Sequence, residues 1–166
     1  MPGTSIRVFT VKSPLKFALG LMVISLFAAT ALQAQREKFS PEDVEHIEKT
    51  WPTAKKTNTG IRYVIEKAGT GDRPKSGEGV SVLYVGKLFT GEIFDQNNDR
   101  EHPFTFRVSR DMVIQGWDQV LQLMQVGEKR TVIIPPELAY GTRGQAPRIP
   151  RGASLAFTIE LIEITR

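Results

Sequence analysis

The stretch Val113-Ile-Gln-Gly-Trp-Asp118 decides the fold. It opens a segment in which Ile114, Trp117, Leu121 and Met124 follow the i, i+3, i+7 spacing of a helix, and Val120 widens the apolar stripe. The spacing predicts one short amphipathic helix, ended by Gly127. A large indole placed directly after a glycine needs apolar neighbours. Tyr84, Phe94, Phe104, Phe106 and Tyr140 supply them from separate segments of the chain. Together they describe the floor and walls of an apolar pocket.

Outward from that helix the texture is strand and turn. Ile61–Ile65 is a β run, and Val80, Val82 and Tyr84 alternate onto one face of a run ending at Leu88. Phe89-Thr-Gly-Glu92 signals a hairpin into Ile93-Phe-Asp95, and Phe104–Val108 alternates cleanly after a polar loop over 97–102. Lys129–Pro135 reads as a buried strand and Ser154–Ile164 as the last one, with a Gly- and Pro-rich loop over 141–152 between them. Several strands and a single helix imply an α+β domain in which an antiparallel sheet wraps that helix.

Ahead of the strands, Ser40-Pro41-Glu42-Asp43 has the marks of a helix start: a capping Ser, Pro in the first turn and acids beside it. Val44, Ile47 and Trp51 give that short helix an apolar side until Pro52 closes it, and the polar stretch 53–60 reads as a linker. The expected organisation is therefore 1–34 as a leader, 35–56 as helix and linker, and 57–166 as the main domain.

Residues 1–34 contain Arg7, Lys12 and Lys16 and no acid. A basic start, an apolar run over 17–31 and small residues at its end have the form of a secretory signal. Cleavage after Ala34 or after Ala31 fits the small-residue rule. The alternative is an uncleaved anchor, for which about 20 apolar residues are needed, slightly more than this run offers. The remaining chain holds 19 of the 22 bases against all 18 acids, nearly neutral at +1. Nucleic-acid binding needs clustered positive charge, so that class is set aside. The chain has no cysteine, which suits an oxidising compartment.

The reactive inventory is short. His46 and His102 are the two histidines, neither with metal-ligand spacing, and no Gly-x-Ser-x-Gly elbow or phosphate-cradling loop is present. Neither a metal nor a cofactor is expected. Chemistry here must come from shape and desolvation.

Leu83-Tyr-Val-Gly86, Gly91-Glu-Ile-Phe-Asp95, Pro103-Phe-Thr-Phe106, Val113–Trp117, Val126-Gly127, Ile134-Pro135, Leu138-Ala-Tyr-Gly141, Ile149-Pro150 and Leu155-Ala-Phe157 occur in that order. In this the chain resembles the FKBP-type peptidyl-prolyl cis–trans isomerases over roughly residues 57–166. The resemblance implies a five- to six-stranded antiparallel sheet curled around a short helix. It implies that Trp117 floors a proline pocket walled by Tyr84, Phe94, Phe104, Val113, Ile114 and Phe157, with Ile149 also in contact with substrate. The Ile114 N–H and the Tyr140 hydroxyl would receive substrate carbonyls, and Asp95 would pair with Tyr84 at one edge. Tyr84, Asp95, Trp117 and Tyr140 are thus the expected catalytic set. Expected partners are proline-containing polypeptide segments and macrolides of the tacrolimus and rapamycin type, bound by a monomer exported to a bacterial periplasm or envelope. The chain departs from the family pattern at Gln115, Gln145 and Arg148. Two rival readings are a non-catalytic binder of proline segments and a chaperone that uses the leading helix.

Overall fold

The computed structural model describes residues 37–165, so the segment read as an export signal lies outside the described residues. Strand β3 (Gly79–Leu88) is the spine of the structure. One of its edges pairs along its whole length with β7 (Leu155–Thr165), from Gly79 opposite Thr165 to Leu88 opposite Leu155. Its other edge is shared: β4 (Ile93–Asn97) takes the Tyr84–Lys87 half and β5 (Phe104–Arg107) takes the Gly79–Val82 half. Beyond β7 the sheet continues through β6 (Lys129–Ile134) and β2 (Arg62–Lys67) to β1 (Lys55–Lys56), all antiparallel.

Among the described residues the sheet therefore has seven strands, one more than the sequence suggests. The extra strand is β1, two exposed lysines inside the stretch expected to be a linker. From Lys38 onward the chain packs as one unit, so no linker separates the leading helix from the strands.

Helix α1 (Pro41–Thr50) starts as expected, with the Ser40 hydroxyl accepting the Asp43 N–H at 3.1 Å. It lies against the outer face of the sheet. On β6, Val132 and Ile134 point into the main core while Ile133 between them joins Phe39 and Ile47 in a separate cluster flanked by Val44, Trp51 and Phe89. This is the alternation of a strand with both faces covered. His46 stacks on Phe89, ring centroids 4.8 Å apart, so it belongs to this packing. The Ser154 hydroxyl donates to Asp43 at 2.7 Å and ties the helix to the start of β7.

Helix α2 (Gln115–Leu121) fills the inner, concave face. It is shorter than the stripe implies and ends well before Gly127. Leu123 and Met124 donate to carbonyls three residues back, the bonds of a tightening turn. Met124 stays fully buried although it lies outside the helix, which is why the apolar pattern runs on.

Candidate active site

Gly116 brings α2 down onto the sheet. A Cβ at this position would lie 2.6 Å from Cγ2 of Ile134, closer than real contacts allow. Without it the helix settles on β6, and Trp117 next to it is pressed into the centre of the sheet's concave face with 4% of its surface exposed. Four rings meet the indole edge-on or tilted: Tyr84 at 5.0 Å and 82°, Phe157 at 5.3 Å and 84°, Phe106 at 5.9 Å and Phe104 at 6.3 Å. Edge-to-face contacts of this kind hold an aromatic wall in one geometry. Phe94 closes the set against Phe157 at 5.5 Å. Gly86 makes room for that pair, since a Cβ there would lie 2.8 Å from both rings.

Above the indole is a cavity of about 150 Å³. Tyr84, Phe94, Phe104, Phe157 and Tyr140 form its walls with Val113 and Ile114, and Asp95 lies at its edge. Sites for drug-sized ligands occupy about 300–1,000 Å³, so this cup is sized for a single ring of a larger molecule. All seven of the expected wall and floor residues, together with Asp95 and Tyr140, converge here from β3, β4, β5, β7, α2 and its entry, and the loop after the Pro136–Leu138 turn.

Ile149 does not join them. Its backbone pairs in both directions with Gln145, and its side chain is 3% exposed within the main core. It supports the 141–152 flap from below and takes no part in lining the cup. Phe106 likewise faces the core. Met112 is a cup residue that sequence reasoning missed. It follows Ser109 and Asp111, both in the left-handed region with φ of 56° and 53°. The Ser109 N–H is held by Asp118 at 2.8 Å and its hydroxyl by Gln122 at 3.2 Å, so α2 itself straps down the loop that leads to the rim.

The polar groups are few and sit on the rim. Tyr84 donates its hydroxyl to Asp95 Oδ2 at 2.8 Å, and Asp95 Oδ1 accepts the Gln96 N–H at 3.0 Å. Burial raises the Tyr84 phenol above its ordinary range, helped by that hydrogen bond and by the Asp95 charge. Tyr140 is raised too, by burial and then by Asp95. Both phenols are therefore held neutral, as donors. The Ile114 N–H, at the entry to α2, makes no hydrogen bond among the described residues. The indole Nε1 is buried and makes none either.

A half-wrapped antiparallel sheet and one short helix thus frame an aromatic cup with neutral phenol donors and one carboxylate at its rim, a lining suited to an apolar ring. Residues 71–162 match the family described as FKBP-type peptidyl-prolyl cis-trans isomerase. The chain is 48% identical over 106 residues to FK506-binding protein 2B of Rhizopus delemar, covering 63% of this chain and 51% of that protein. It is 42% identical over 110 residues to a probable FKBP-type peptidyl-prolyl cis-trans isomerase of Haemophilus influenzae, covering 66% and 45%. It thus spans about half the length of these curated relatives. Among solved structures, a peptidyl-prolyl cis-trans isomerase of Pseudomonas syringae pv. tomato aligns with a TM-score of 0.65 at 39% identity, covering 72% of this chain and 86% of that one. The crystal structure of AtFKBP13 aligns at 0.63 and 37%, covering 66% and 97%. The chain belongs to the FKBP-type peptidyl-prolyl cis–trans isomerase family.

Proposed function

We propose that this chain accelerates rotation about X-Pro bonds in polypeptides. The observation that carries the reading is the cup above Trp117, walled by aromatic rings and rimmed by an unused Ile114 N–H and a neutral Tyr140 hydroxyl. Proline presents an apolar ring and no N–H, so a site that binds it needs greasy walls and donors for the flanking carbonyls.

The chemistry follows from the amide. Twisting the C–N bond breaks resonance, at a barrier of ~18–20 kcal/mol. The planar form carries charge on oxygen and nitrogen, whereas the twisted form carries less. A desolvated aromatic cup therefore disfavours the planar bond relative to the twisted one, and wall shape complementary to the twisted geometry adds to the effect. Ile114 and Tyr140 hold the two carbonyls while the bond turns. Asp95 fixes the Tyr84 wall. No proton needs to move.

Macrolides of the tacrolimus and rapamycin type are proposed to compete for the cup, and the protein is proposed to act as a monomer on exported chains. The export reading is supported by the acid-free basic start and apolar run of residues 1–34, and the periplasm or cell envelope of a bacterium is the compartment that fits them.

A proline-isomerisation assay on short peptides tests the activity. Purified protein is expected to accelerate the exchange, and Trp117→Leu to lower kcat/KM about tenfold or more while the circular dichroism spectrum is retained, the factor that ~1.4 kcal/mol of lost transition-state stabilisation produces. Unchanged exchange rates with the wild-type protein would sink the proposal and leave a binder of proline segments in its place.

A further inference from the structure

The cup does not end at its rim. Phe94, Asp95 and Tyr140 are shared with a second cavity of about 270 Å³ whose far side is the flap, through Gln145, Pro147 and Arg148. Arg148 also lines the outer side of β4, in a further cavity with Glu92 and Gln96. A polypeptide whose proline occupies the cup and that leaves over Asp95 and Tyr140 passes Arg148.

The flap, residues 141–152, contains Arg143, Arg148 and Arg151 and no acid. All three are exposed, and none forms an ion pair among the described residues. Elsewhere on the surface, Lys38, Arg100 and Lys129 each have a carboxylate within 4 Å. The carboxylate that shares both cavities with Arg148 is Asp95, and both of its oxygens already accept hydrogen bonds, from Tyr84 and from the Gln96 N–H. Glu92, in the outer cavity, makes no ion pair with Arg148 either. The guanidinium thus stands beside the substrate path with its fork of donors unused, and a planar fork matches a carboxylate in geometry as well as charge.

We infer that Arg148 is a specificity-determining residue, selecting substrates with a Glu or Asp next to the proline. The inference rests on the isomerase reading of the cup. An exposed ion pair is worth a factor of about two to five, and the surrounding flap charge adds a field that extends about 10 Å at 0.1 M salt.

The test uses paired peptides that differ only by Glu or Gln, placed before the proline in one pair and after it in the other. The readout is the Glu-to-Gln ratio of kcat/KM. Wild-type protein is expected to show a ratio of about two to five at one of the two positions in low salt, falling towards one at about 1 M salt. Arg148→Ala should bring the ratio to one and Arg148→Glu should invert it. Arg143→Ala, outside both cavities, should keep most of it. A wild-type ratio of one at both positions overturns the inference, as does an equal loss in the Arg143 and Arg148 variants. Failure to accelerate even the Gln peptides would sink the isomerase reading itself, and is separable from the first two results.

Discussion

Tyr84 serves the site in two ways that demand the same protonation state. Its ring is a wall set edge-on to Trp117, and its hydroxyl donates to Asp95. Burial, then the hydrogen bond, then the Asp95 charge raise its pKa, and Tyr140 moves in the same direction. In the unfolded chain a phenol ionises near pH ~10. The stabilising contribution is therefore whole below about pH 10 and is lost at higher pH, where the unfolded chain releases a proton that the folded protein still holds. Catalysis that moves no proton adds no titration of its own. We expect kcat/KM to stay flat between about pH 6 and 9 and the urea midpoint to drop above about pH 10. A bell-shaped rate profile within that window would instead reveal an acid–base step. The aromatic residues of the cup were legible in the sequence because each is bulky and sits in an alternating or helical pattern. Met112 was not, because its position depends on two left-handed residues that no sequence pattern marks. The placement of Ile149 was not legible either: it is apolar and lies in the flap, and its backbone pairs with Gln145 while its side chain sits in the core.

Among the elements, α1 and α2 take opposite faces of one sheet, and only α2 touches the cup. Helix α1 is fixed by Ile47, 1% exposed, against Ile133, and by the Asp43–Ser154 bond. Removing three buried carbons from such a position costs about 2–4 kcal/mol, through lost burial and the cavity left behind. Ile47→Ala is therefore expected to lower the urea-unfolding free energy by about that amount while kcat/KM stays at the wild-type value. A rate that fell in step with stability would mean that α1 shapes the cup across the sheet. Strands β3, β5, β6 and β7 were readable as runs because each is largely buried or alternates, and β2 and β4 because short apolar or aromatic runs stand beside turn residues. Strand β1 was not, since two exposed lysines carry no apolar pattern and join β2 by backbone pairing opposite Tyr63 and Arg62. The end of α2 was misjudged because a buried Met124 continues the helical stripe into a turn of different geometry.

At the scale of the molecule, the ion pairs among the described residues differ sharply in burial. Lys38–Glu137, Arg100–Glu160 and Lys129–Glu66 lie at the surface, where such pairs are worth about 0–1 kcal/mol and fade in salt. Glu128 and Arg130 are different: they are 3% and 4% exposed and joined at 2.6 Å through Arg130 Nε. Glu128 also accepts the Gln125 N–H at 3.1 Å, and Arg130 reaches the Leu123 carbonyl and lies 4.4 Å from the centre of the Tyr63 ring. The pair thus joins the turn after α2 to β6 and β2, and so fixes the helix that carries the cup floor against the sheet that carries its walls. Desolvation makes such a pair a poor source of net stability, but removing one partner strands the other charge in an apolar interior. Arg130→Ala should accordingly cost about 3–5 kcal/mol, whereas Glu128→Leu with Arg130→Met should cost far less than the single change. Chemical unfolding of the wild-type, single and double variants gives the comparison. If the double variant is as unstable as Arg130→Ala, the loss of the guanidinium's own contacts with the Tyr63 ring and the Leu123 carbonyl, and not the stranded carboxylate, is what the single substitution costs.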